Sequence, residues 1–164
     1  MRLTSYTDYA LRTLIVLGMN RSRLVTIQEI AELHSISKNH LMKVAHQLGL
    51  SGMVDTVRGR NGGLRLKLEP DQINLGIVVR NTETDFYMAE CFDPVNLTCA
   101  YSSSCALKGI LHKATAAYLE VLDGVTLADL LASSRPAPGP KAGAKAVPKL
   151  SPVHMHPRVI QAKH

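Results

Sequence analysis

Residues 26–68 constrain the fold most tightly. Thr26 opens TIQEIAELH with Glu29 three residues later, the spacing of a capping box. A break at Ser35-Ile36 follows, and Ser37 then caps SKNHLMKVAHQL, which stops near Gly49. Met53–Val57 and Leu64–Leu68 alternate as two strands around RGRNGG, with Asn61-Gly62 as the hairpin turn signal. Two short helices joined by a tight break, then a hairpin, is the order of a winged helix-turn-helix. Ile27, Ile30, Ala31 and Leu33 are the expected packing face of its first helix.

The second helix carries Ser37, Lys38, Asn39, His40 and Lys43 at its N-terminal end, the end that enters a major groove in such motifs. Asn39 and His40 can bond base edges or phosphates, and Lys38 and Lys43 can neutralise phosphates. Arg58, Arg60 and Asn61 at the hairpin tip suit a narrow minor groove. With Thr26 at the start of the motif, these nine residues are the expected DNA-contacting set.

Charge supports a polyanionic partner. Residues 1–75 hold ten basic and six acidic side chains, 76–132 three and seven, and 133–164 six and none. The two basic blocks thus flank an acidic one. These ranges also divide the chain by content into a DNA-binding domain, a cysteine loop with a long helix, and a Pro-rich basic tail that buries too little to fold. Around the motif the folded part reads as mainly helical. One helix starts at Thr4 or Ser5 and runs to about Asn20, a second spans Ile73–Arg80, a long amphipathic one Ala106–Leu122, and Thr126 caps a short last one. On the long helix Leu107, Ile110, Leu111, Ala114, Ala117, Tyr118, Val121 and Leu122 make an apolar stripe.

Hydrophobic residues make up 46% of the 164, enough for a core, but no apolar run approaches the roughly 20 residues of a membrane span. The opening residues lack a signal-peptide core, so the expectation is a cytoplasmic protein without a membrane partner. No phosphate-loop or dinucleotide fingerprint is present.

Cys91, Cys99 and Cys105 lie within 15 residues, an odd number that argues against a disulfide framework. Their spacing lacks the paired C-x2-C knuckles of structural zinc sites. Three thiolates on a loop can hold an iron–sulfur cluster with one iron left for another ligand, for which Glu90, Asp93 and His112 are the nearby candidates. A thiol nucleophile would need a base and a pocket, and the local pattern offers neither. A zinc-stabilised DNA-binding protein is the remaining alternative.

The segments MRLTSYTDYALRTL, SISKNHLMKV and VRGRNGGLRL, and the cysteine loop followed by LADLL, resemble the iron–sulfur winged-helix repressors, most closely the nitric-oxide-sensitive ones. The resemblance covers residues 1 to about 132. It implies a homodimer formed through Ala106–Leu122, a palindromic double-stranded operator, and a cluster held by Cys91, Cys99 and Cys105. It also implies Asp8 of the partner subunit as the fourth ligand. A [4Fe–4S] cluster is favoured by the resemblance, with [2Fe–2S] as the alternative. Nitric oxide is then the signal that releases DNA and derepresses detoxification genes. Relatives that sense iron or cluster supply carry a histidine three residues after the third cysteine, where this chain has Lys108. Seven residues separate Cys91 from Cys99, more than the four or five usual in relatives, and the Pro-rich tail is outside the pattern.

Overall fold

The computed structural model describes residues 2–93, 95, 99 and 105–133. The tail expected at 133–164 lies outside the described residues beyond Ser133, as do most residues between Cys91 and Cys105.

Short polar caps set the helix starts. Thr4 opens α1 (Ser5–Met19), its Oγ1 accepting from the Thr7 N–H. Thr26 and Glu29 form the full capping box of α2 (Ile27–His34), and Ser37 caps α3 (Lys38–Leu50) through the His40 N–H. Asn74 caps α4 (Leu75–Thr82) after a 3-10 turn at Pro70–Gln72; this start is two residues later than the apolar pattern indicates. The long helix α5 spans Ala106–Asp123 and α6 spans Leu127–Ser133. Thr126 and Asp129 cap α6 reciprocally.

The strands β1 (Val54–Val57) and β2 (Gly63–Leu66) pair antiparallel, Val54 opposite Leu66 and Val57 opposite Gly63. The register leaves a five-residue connection, 58–62. Asn61-Gly62 does not form the turn. Gly59 takes the positive φ, at 115°, and the Gly62 N–H returns to its carbonyl. The reason is length: a five-residue connection is built around an ordinary turn, here Gly59–Gly62, whereas a two-residue turn would need positive φ at both Asn61 and Gly62.

One core joins all of this. Leu14 and Leu17 of α1, Ile30 of α2, Leu41 and Val44 of α3, Leu64 of β2, Ile73, Val78 of α4 and Leu127 of α6 are buried in a single cluster. Leu33 is a correction to the expected packing face: it is 66% exposed, while Ile30 and Ala31 carry the contact. Residues three apart on a helix are about 300° apart around its axis, so a face anchored by Ile30 points Leu33 towards its rim.

The break between α2 and α3 is made by Ser35 in the left-handed conformation (φ 54°) with Ile36 buried behind it. A non-glycine residue pays about 1–2 kcal/mol for that conformation, and glycine loses about 0.5–1 kcal/mol more chain entropy on folding. Ser35→Gly is therefore expected to stabilise the fold by about 0.5–1 kcal/mol, read as a higher denaturant midpoint at unchanged slope.

The apolar residues of α5 fall into two stripes where the sequence reading had one. Leu111, Thr115, Tyr118 and Leu122 turn towards the rest of the chain, with α4 as the neighbouring helix. Leu107, Ile110, Ala114, Ala117 and Val121 face outward. Their spacing of three and four is that of a helix–helix seam.

Candidate nucleic-acid interface and cysteine centre

Ser37, Lys38, Asn39, His40 and Lys43 are all exposed along the first turns of α3. The first turn of a helix leaves backbone N–H groups without intrahelical partners and carries the positive end of the dipole, so this surface favours phosphate. Arg58, Arg60 and Asn61 are exposed on the hairpin connection. Thr26 is half-buried and its hydroxyl is engaged with Glu29, so its visible role is to fix the start of α2. Arg23 and then Thr26 hold the Glu29 carboxyl below the usual carboxylate range, which keeps this cap ionised at neutral pH.

Helix α1 connects this surface to the cysteine segment. Tyr9 stacks on His40 with ring centroids 6.2 Å apart, and the Tyr6 hydroxyl donates to the Lys43 carbonyl at 3.3 Å. At the start of α1, Glu83 accepts from the Thr4 N–H at 2.8 Å and from its hydroxyl at 3.2 Å. Glu83 caps the end of α4, where the segment leading to Cys91 begins. The sequence reading missed these contacts, since Thr4 and Glu83 are 79 positions apart.

The three cysteines are free thiols, Cys91 and Cys105 half-buried and Cys99 exposed. Cys91 lies in a 3-10 turn, Glu90–Phe92, inside what the sequence marks as loop, and Cys105 is the N-cap residue of α5. Among the described residues no group of three or more His, Cys, Asp or Glu side chains is gathered closely enough to hold a metal ion. The donor chemistry nonetheless fits an iron–sulfur group, because none of the three cysteines is tied up in a disulfide and none is fully buried. The His112 ring packs tilted against Phe92 with centroids 4.7 Å apart, a packing role for one of the sequence candidates for fourth ligand.

Asp8 lies on α1, partly exposed, and Arg12 one turn on grips it: Arg12 Nε donates to Oδ1 and its terminal nitrogen meets Oδ2, both at 2.9 Å. The i, i+4 spacing of Asp8 and Arg12 was a legible signal for this pair. The His34 imidazole is held below its ordinary pKa, first by burial and then by Arg12, with Asp8 opposing.

Residues 3–133 match the Rrf2 family, described as iron-dependent transcriptional regulators. The chain belongs to the Rrf2 family. Among Rrf2 relatives, HTH-type transcriptional regulators NsrR of Bacillus licheniformis and Bacillus subtilis are each 54% identical over 132 residues. That span is 80% of this chain and 92% and 90% of theirs. The solved structure titled T. potens IscR superposes with a TM-score of 0.65 at 25% identity, covering 81% of this chain and 88% of that one. Rrf2 membership makes the chain a transcriptional regulator with a winged-helix-like fold, and not an enzyme. No helix among its described residues is long and apolar enough to cross a membrane.

Proposed function

We propose that this Rrf2 chain is a nitric-oxide-sensing repressor that binds a palindromic operator as a homodimer while an iron–sulfur cluster is in place. Cys91, Cys99 and Cys105 would hold the cluster together with Asp8 of the partner subunit. When bound, the cluster supplies iron that reacts with nitric oxide. The observation that carries the reading is the match, at 54% identity, between a chain whose motifs resemble nitric-oxide-sensitive repressors and regulators called NsrR.

The chain's own residues divide the work. Leu107, Ile110 and Val121 on the outer stripe of α5 meet a second copy, which sets the distance between two α3 helices. Lys38 and Lys43 neutralise phosphates, Asn39 and His40 face base edges, and Arg58 and Arg60 enter the minor groove. Two reading helices must lie about one helical turn of DNA apart, so a small change in their placement costs much of the affinity. Arg12 takes up the Asp8 carboxylate in the single chain, which keeps that charge paired when it is not a ligand. The division into segments at 75 and 132 follows the same roles.

Protein prepared without oxygen is expected to be brown, to bind its operator, and to lose both colour and operator on addition of nitric oxide. Cys99→Ala is expected to be colourless and to repress weakly, with no response to nitric oxide. A Cys99→Ala protein that represses and responds as the parent does would overturn the reading. The family's description as iron-dependent favours a second reading, a sensor of iron or cluster supply. It predicts derepression by iron starvation with nitric oxide inert, and Lys108 in place of the expected histidine argues against it.

A further inference from the structure

Beside the reading helix, α1 and α3 enclose a recess of about 310 Å³ lined by Ser5, Tyr6, Tyr9, His40 and Lys43. Its lining is mainly apolar and includes two tyrosines, both anchored to α3: Tyr9 by its stack on His40 and Tyr6 by its bond to the Lys43 carbonyl. Ser5, His40 and Lys43 are exposed at this site, so one cation, one hydroxyl and one imidazole stand over an apolar floor. Burial raises the Tyr6 phenol, which therefore stays a hydroxyl at neutral pH. His40 and Lys43 are one turn apart on the helix expected to enter DNA, so the recess continues that surface outward from the groove.

We propose that this recess seats one sugar–phosphate unit of the duplex, making the opening turn of α1 a DNA-contacting element in its own right. The phosphate meets the Lys43 ammonium and the Ser5 hydroxyl, and the deoxyribose lies on the rings of Tyr6 and Tyr9. This assignment rests on α3 being the helix that enters DNA. A contact of this kind carries no sequence information; it fixes orientation and adds affinity for any duplex.

The test changes charge at Ser5, the first residue of α1. Glutamate there suits the helix dipole, so Ser5→Glu leaves stability intact while placing a negative charge against the phosphate. Ser5→Lys does the reverse. Binding of the full-length, cluster-loaded protein is measured against salt on its selected operator and on an unrelated duplex. Ser5→Lys is expected to steepen the log–log salt slope by about 1.8 on both duplexes, about 0.9 for the added phosphate contact of each subunit of the dimer. Ser5→Glu is expected to weaken binding to both by a similar factor of about ten or less. Ala132→Lys, the same charge on exposed α6, is expected to leave the slope unchanged.

Equal slopes for Ser5→Lys and the parent, in a protein whose slope does fall with Lys38→Gln, would overturn the recess and leave α3 standing. A slope insensitive to Lys38→Gln as well would remove the reading of α3 itself. An effect of Ser5→Lys confined to one sequence would also overturn the proposal, since a backbone contact acts on all. The cluster absorbance of each variant reports whether nearby Asp8 is disturbed. If Ser5→Glu loses colour, the Ser5→Lys slope decides.

Discussion

Ile110→Glu is expected to turn the protein into a monomer and to remove operator binding. Leu107, Ile110 and Val121 are 60%, 62% and 68% exposed on one face of α5, spaced as a seam that another helix would fill. A carboxylate within that seam must be dehydrated for the helices to meet, a cost of several kcal/mol that a pair of short seams cannot offset. Sedimentation is expected to give a dimer for the parent and a monomer for the variant at the same micromolar concentration. A dimeric regulator forced to bind through one reading head retains only nonspecific affinity, so operator binding falls by about a thousandfold or more. Ile110→Leu keeps the apolar face and is expected to keep both properties. A dimeric Ile110→Glu protein would place the interface elsewhere.

Leu127→Ala is expected to cost about 2–5 kcal/mol, the range for truncating a buried leucine. Leu127 is fully buried, in the same cluster as Leu14 and Leu17 of α1, and its N–H donates to the Ile73 carbonyl at 2.8 Å. Its backbone bond survives the change, so the loss measures the apolar contact and the cavity alone. Urea unfolding at fixed protein concentration, followed by helical circular dichroism, is expected to show a lower midpoint at an unchanged slope. A loss under about 1 kcal/mol would mean that α6 closes over the vacated space.

The elements legible in the sequence were those specified by neighbours. Thr26 with Glu29, and Ser37 two residues after the Ser35 break, fix the two helix starts through bonds spanning three residues. The hairpin was legible from alternation, but its turn was not: Asn61-Gly62 is a strong signal for a two-residue loop and says nothing when the register leaves five residues. Periodicity counted the apolar residues of α5 correctly and merged two faces, because the pattern records that a residue wants burial and not against what. Leu33 misled for the same reason.

The site was less legible because its parts are far apart in sequence. Lys38, Asn39, His40 and Lys43 could be named from their place on one helix. Tyr6 and Tyr9 tie α1 to them, and no local pattern marks contacts to residues more than 30 positions away. Asp8 came from resemblance and not from spacing, since more than 80 residues separate it from Cys91. The single chain leaves the three thiols ungathered among the described residues, and no pattern within one chain would encode a ligand arriving from another.

Among the described residues the two ends of α5 are held differently. At its C-terminal end Asp123 is gripped by Arg80, its carbonyl accepts from Asn74 at 2.6 Å, and Val125 and Leu127 just beyond bond to Leu75 and Ile73. Gly76 leaves room there that a methyl group would take from the Asp123 carboxylate. At the other end the N-cap is Cys105, whose side chain makes no capping bond. An 18-residue helix is about 27 Å long, so a tilt of about 10° about the fastened end carries the sulfur end through about 5 Å. The helix is thus fastened beside α4 at one end and carries a cysteine at the other, and its outward apolar stripe runs along the length between them.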